Sequence, residues 1–184
     1  MTMKDLLKQL QNDAIQLGAT AAKVVPISSI VIDERVRLKC LIPLCDKYNQ
    51  SLMCPPHLPS VEEFRQAIKK YSKALFVQLA YEKRGDMPKA AARRNGLRLH
   101  RIINELEKKA FSSGFPLAAG LIGGSCKLCR KCVGSPGPCR HPLMARPSME
   151  GMGIDVIQTA KKIGFPFDFS SGHRLFWNAL LLID

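Results

Sequence analysis

No run of apolar residues in this chain approaches the roughly 18 that a membrane-spanning helix needs, and its start lacks the apolar core and small-residue cleavage site of a signal peptide. The opening "MTMKDLLKQLQNDAIQLGA" instead places Leu6, Leu7, Leu10, Ala14 and Leu17 on one helical face. A cytoplasmic protein that does not enter a membrane is therefore expected. Aromatic residues are sparse at 7%, which argues against a surface that stacks single-stranded bases. Acidic residues are few: 15 Asp and Glu face 28 Lys and Arg, for a formal charge of +13. The chain also lacks a P-loop, a strand-borne G-x-G-x-x-G and a G-x-S-x-G elbow. The C-x3-C-x2-C spacing of radical-SAM enzymes is missing as well. These absences remove nucleotide cradles, serine hydrolases and radical-SAM chemistry from consideration.

Cysteine is what the chain does have. Seven are present, and all fall into two tight groups, Cys40, Cys45 and Cys54, then Cys126, Cys129, Cys132 and Cys139. A reducing cytosol disfavours structural disulfides, and an odd number suits a disulfide framework poorly, so metal or redox chemistry is the expected use. In "CKLCRKCVGSPGPCRHP" three thiolates recur at two-residue intervals, which lets one turn of backbone ligate three corners of a [4Fe–4S] cubane. Bacterial ferredoxins share this triple but place the fourth cysteine sooner. Cys139 either completes the cluster of its own loop or serves the upstream group. Zinc, which more often uses two separate C-x2-C pairs, is the alternative.

The upstream group "KCLIPLCDKYNQSLMCPP" offers three thiolates in a loop stiffened by Pro43, Pro55 and Pro56. Its fourth ligand is open: His57 would make a Cys₃His zinc site, Asp46 or Tyr48 would cap an iron, and Cys139 would come from the other loop. A [4Fe–4S] cluster with one open iron is the remaining choice, and an open iron binds substrate as a Lewis acid. One cluster is thus expected and two are conceivable. A four-thiolate [4Fe–4S] cubane carries about −2, so the balance stays basic after cluster binding.

Alternating hydrophobicity in "ERVRLKC" reads as a strand that carries Cys40 to the inner face. "KVVPISSIVI", "KALFVQLAY", "PLAAGLIGG" and "HRLFWNALLLID" read as further strands. Ser60 with Glu63 signals a capping box, and a long helix is expected from Pro88 to about Ser112 with Leu99, Ile102, Ile103, Leu106 and Ala110 inward. Ser148 opens a last helix whose inner face is Met149, Met152, Val156, Ala160 and Ile163. The order α-β-β-α-β-α-β-α-β gives an α/β or α+β fold. We expect residues 1–184 to form one layered domain, a mixed sheet flanked by helices, with two adjacent cysteine-rich metal loops leaving strand ends.

Read together, "RVRLKCLIPLCDKYNQSLMCPP" and "CKLCRKC…PCRHPLMARPSMEGMGIDVIQTAKKIG" resemble a family of predicted metal-binding proteins of unknown function, over nearly the whole chain. The departure is Asn49, where a glycine is expected after the tyrosine; asparagine also tolerates positive φ. The resemblance implies a metal or iron–sulfur protein with the cysteines as ligands, and it names no reaction.

Three functions follow from these readings. The first is an electron carrier that meets an acidic redox partner. The second is an enzyme with an open iron at the three-cysteine site. The third is a zinc-stabilised nucleic-acid binder using the stripe of Arg94, Arg98 and Arg101, the weaker partner class because such a stripe equally docks an acidic protein or lies in solvent. Lys127, Arg130, Lys131 and Arg140 among the ligands read either as charge opposing an anionic cluster or as a solvated loop. Arg146 and Glu150 read as the flanks of a helix cap.

Overall fold

The computed structural model describes residues 2–82, 89–167 and 174–184. The sheet is assembled around two long apolar strands, β2 (Lys73–Glu82) and β4 (Arg174–Ile183). They pair antiparallel from Lys73 opposite Ile183 to Glu82 opposite Arg174. Strand β1 (Ala21–Pro26) pairs with β2, and β3 (Ala119–Ile122) with β4, giving the order β1-β2-β4-β3. Every pairing between these strands is antiparallel, so the expected mixed sheet is corrected on this point.

Both faces of the sheet are covered, which explains why the central strands read as almost unbroken apolar runs. Along β4, Ala179, Leu181 and Ile183 face one core and Leu180 and Leu182 face the other. Helices α1 (Met3–Gln16) and α4 (Lys89–Ser112) close the first core, to which Leu99, Ile102, Ile103, Leu106 and Ala110 all contribute as expected. Helices α3 (Val61–Ile68) and α5 (Val156–Lys162), with the 149–154 segment, close the second. The layered α+β expectation holds. The capping box at Ser60 is present, with Ser60 Oγ accepting from the Glu63 amide at 3.2 Å. The expected helix start at Pro88 lies outside the described residues, as does His173 of the last strand.

Three expectations are corrected. "ERVRLKC" is a helix, α2 (Glu34–Leu38), because Asp33 caps it: its carboxylate accepts the Arg35 amide at 2.8 Å and grips the Arg35 guanidinium. Leu38 is consequently 51% exposed, and Cys40 leaves a helix end and not a strand. The first strand stops at Pro26 and passes into a short 3₁₀ turn, Ile27–Ser29. The helix expected from Ser148 is two pieces, a 3₁₀ turn (Glu150–Met152) and α5, whose cap is Asp155. Gly153 separates them at φ +86°. All five inward residues are nevertheless buried.

A Cβ at Gly153 would also sit 2.6 Å from Val61 Cγ1. Gly153→Ala should therefore cost on the order of 1–3 kcal/mol, from left-handed backbone strain and overpacking together. Urea denaturation of parent and variant measures this.

Candidate metal centres

The second cysteine loop lies on a seam of α4 made by Gly96, His100 and Asn104, one residue per turn. At Gly96 a Cβ would come 2.8 Å from Lys127 Cγ, so the loop approaches the helix where a side chain is missing. The Lys127 amide donates to His100 Nε2 at 3.3 Å. Asn104 Nδ2 donates to the Met144 carbonyl at 2.9 Å, which holds the far end of the loop. One turn further, Glu107 accepts the Gly120 amide at 2.6 Å and pairs with both Arg146 nitrogens at 2.8 Å. Arg146 therefore clamps the strand and the loop exit to α4. Its remaining Nη1 donates to the Leu143 and Ala145 carbonyls.

Cys126, Cys129, Cys132 and Cys139 are half-buried, free and arranged around one cavity of about 170 Å³. Cys139 thus sits with its own loop. The first loop forms the opposite wall through Asp46, Ser51, Leu52 and Met53, so the two loops adjoin as expected. At Cys132 burial works against the thiolate, but amides of Gly134, Leu52 and Val133 and the charge of Arg140 outweigh it and lower the thiol pKa. At Cys126 burial dominates, reinforced by Cys139, Cys129 and Cys132 against an opposing amide of Leu128, and the pKa rises. Arg130, Lys131 and Arg140 stand exposed at the rim.

The first group is built differently. Its loop folds through local amide bonds, Cys45 to the Cys40 carbonyl at 3.1 Å and Cys54 to the Ser51 carbonyl at 3.0 Å. Asn49 takes φ 54°, the left-handed turn that the resemblance placed there, and its amide reaches the Pro55 carbonyl at 2.9 Å. Cys54 is only 6% exposed. Burial pushes its thiol up to about 11, with Cys45, Cys40 and Glu150 adding to the rise and the Ser51 hydroxyl opposing it. Cys40 is raised by burial, then by Cys45 and Glu150, against Arg37. The three thiols and Glu150 are therefore electrostatic neighbours. Glu150 is anchored: its Oε2 accepts from the Gly124 amide at 2.8 Å and from Ser148 Oγ at 3.0 Å.

Of the other expected site residues, His57 has a buried Nε2 with no hydrogen-bond partner. Asp46 bonds Lys47 at 2.7 Å and turns toward the cavity of the second group. Arg94, Arg98 and Arg101 do form an exposed stripe, although Arg98 Nη2 also holds the Gly18 carbonyl at 2.9 Å. No helix among the described residues is long and apolar enough to cross a membrane.

Residues 23–183 match the family described as "Predicted metal-binding protein (DUF2284)". The chain belongs to this family. No curated protein and no solved structure matches it. A metal-binding role fits the donor set that this family member presents. A buried thiol with a raised pKa ionises readily only where a cation stabilises the thiolate, and a bound metal ion is such a cation. The orphaned His57 nitrogen is a further donor without a bond. Among the described residues no three such side chains gather around the position of one bare ion. The four downstream cysteines line one cavity with room for more than a single water.

Sequence reasoning missed three residues that shape these centres. His100 and Asn104 show up only as polar positions four apart, in register with Gly96, inside an otherwise amphipathic helix. Glu150 looked like a helix-dipole acid, because its closeness to Cys40 and Cys54 is long-range.

Two predictions follow. Burial, helped by the charges of Arg146 and Lys127 and opposed by the Met144 carbonyl, pushes His100 down to about 4. The unfolded chain then takes up a proton below about pH 6.5 that the folded chain refuses, so stability is full above 6.5 and falls as pH drops toward 4. The His100→Gln variant should lose about 2–3 kcal/mol of the stability difference between pH 7.5 and 4.5, read from urea midpoints. In metal-free protein at pH 8, iodoacetamide followed by mass spectrometry should label Cys132 first and Cys54 last.

Proposed function

We propose that this protein is an iron–sulfur electron carrier, with a [4Fe–4S] cluster on the 126–139 loop and a second metal or cluster at Cys40, Cys45 and Cys54. The observation that carries the reading is the single cavity of about 170 Å³ around Cys126, Cys129, Cys132 and Cys139. Tetrahedral zinc, at about 2.3 Å from sulfur, would draw those four sulfurs to about 3.8 Å of one another, whereas a cubane fills a space between them. Such a cluster, when bound, supplies one-electron chemistry at a potential set by its surroundings.

The chain's own residues supply those surroundings. The amides of Leu52, Val133 and Gly134 directed at Cys132 withdraw charge from that sulfur, which favours the reduced state. Leu52 belongs to the other cysteine loop, so the two centres share a wall. Arg130, Lys131 and Arg140 give the exposed rim a positive charge that suits an acidic redox partner protein. A second reading, an enzyme that presents an open iron to a small substrate, is favoured by Glu150, an acidic side chain that acts on both Cys40 and Cys54.

Anaerobic purification with iron, sulfide and zinc analysis tests the proposal, with Cys54→Ala beside the parent. Two cubanes would give about eight irons per chain, falling to about four in the variant. About four in both would leave the first loop without a cluster. Zinc without sulfide would overturn the iron–sulfur reading.

A further inference from the structure

A cavity beside the cysteine loops has no cysteine among its described lining residues. It measures about 650 Å³ and lies between α2, the Gly123–Gly124 turn, the start of α5 and the outer half of β4. That volume is within the roughly 300–1,000 Å³ typical of small-ligand pockets. Asn178, 3% exposed, lies at its floor, with its Oδ1 accepting from Gln78 Nε2 at 3.0 Å. Val156, Ile157 and Phe176 give it an apolar side.

Its charges are the informative part. Asp33 and Arg35 line it but neutralise each other through a bidentate pair at 2.6 and 3.0 Å. Among the other described lining residues, Lys39 stands on one side and Glu150 and Asp155 on the other, with Asp155 also acting on Arg35. Asp155 spends one oxygen on the Gln158 amide at 2.8 Å, and both Glu150 hydrogen bonds come from neutral donors. A cavity with a cationic wall, an anionic wall and an apolar side is complementary to a molecule with the opposite arrangement.

We propose that this cavity binds a small zwitterion of the amino-acid type, its carboxylate toward Lys39, its ammonium toward Glu150 and Asp155, and an apolar side chain against Phe176, Val156 and Ile157. Glu150 then connects the ligand to the three-cysteine group, since the same carboxylate acts on Cys40 and Cys54. The inference does not depend on which metal the thiols hold, because none of the cysteines is among the cavity's lining residues.

Calorimetry on the full chain, as purified, tests it with three probes: L-phenylalanine, 3-phenylpropionate, which lacks the ammonium, and phenethylamine, which lacks the carboxylate. L-phenylalanine should bind saturably, and each comparator about tenfold or more weakly, the value of one charged contact. Lys39→Gln and Glu150→Gln should each weaken L-phenylalanine by a similar factor. Lys39 is exposed, so its variant folds and carries the test even if Glu150→Gln disturbs the metal loop. Absence of saturable binding at millimolar concentration, comparators that bind as well as the zwitterion, or a Lys39→Gln variant with unchanged affinity would each overturn the proposal. Metal analysis of the same samples is read separately, so a failed iron–sulfur reading is not mistaken for a failed ligand site.

Discussion

The polar seam of α4 is the constraint on which the site depends. A helix can anchor a loop of glycines, prolines and cysteines only by offering hydrogen bonds where the loop's amides and carbonyls fall. Gly96 admits the loop, and His100, Asn104 and Glu107 offer them on the turns that follow. These groups sit over a core in which Ile103 and Leu106 are fully enclosed. The seam therefore inherits the rigidity of the sheet beneath it. Without it, the segment from Gly124 to Arg146 would have one strand end and little else to fix its course.

Electrostatics and burial act against each other at the thiols. A chain with formal charge +13 should favour thiolates on average, yet Cys40, Cys54 and Cys126 all have raised pKa values because burial is the largest influence on each. Placing Glu150 near two of them adds further negative charge. A fold that buries this much latent charge is stable with protonated thiols or with a bound cation, and membership of a metal-binding family points to the cation. Cys132 differs because three backbone amides face it.

Much of the fold was legible in the sequence because its strongest signals are local. The apolar runs of β2 and β4, the stripe of α4 and the Ser60 capping box each declare themselves within a dozen residues. Strand pairing was not legible: β4 lies between β2 and β3 for reasons of packing between distant segments. The error at "ERVRLKC" is instructive, since alternation and helical spacing are hard to separate over so few residues. Asp33, which decided the matter, was visible but was not weighed. The cysteines and His57 stand out in the sequence because ligand spacing is a local signal. Glu150 and His100 were missed because their roles arise from juxtaposition across the sheet.

The contact between Leu52 and Cys132 bears on how the molecule comes into being. Cys126 to Cys139 span a short stretch, and closing so small a loop is entropically cheap. The four cysteines are therefore neighbours through local chain connectivity. The wall supplied by Leu52 is different, for it arrives only when β2, α4 and β3 have brought two remote parts of the chain together. The near and distant walls of this cavity thus form at different sequence ranges, and only the distant one waits for the sheet.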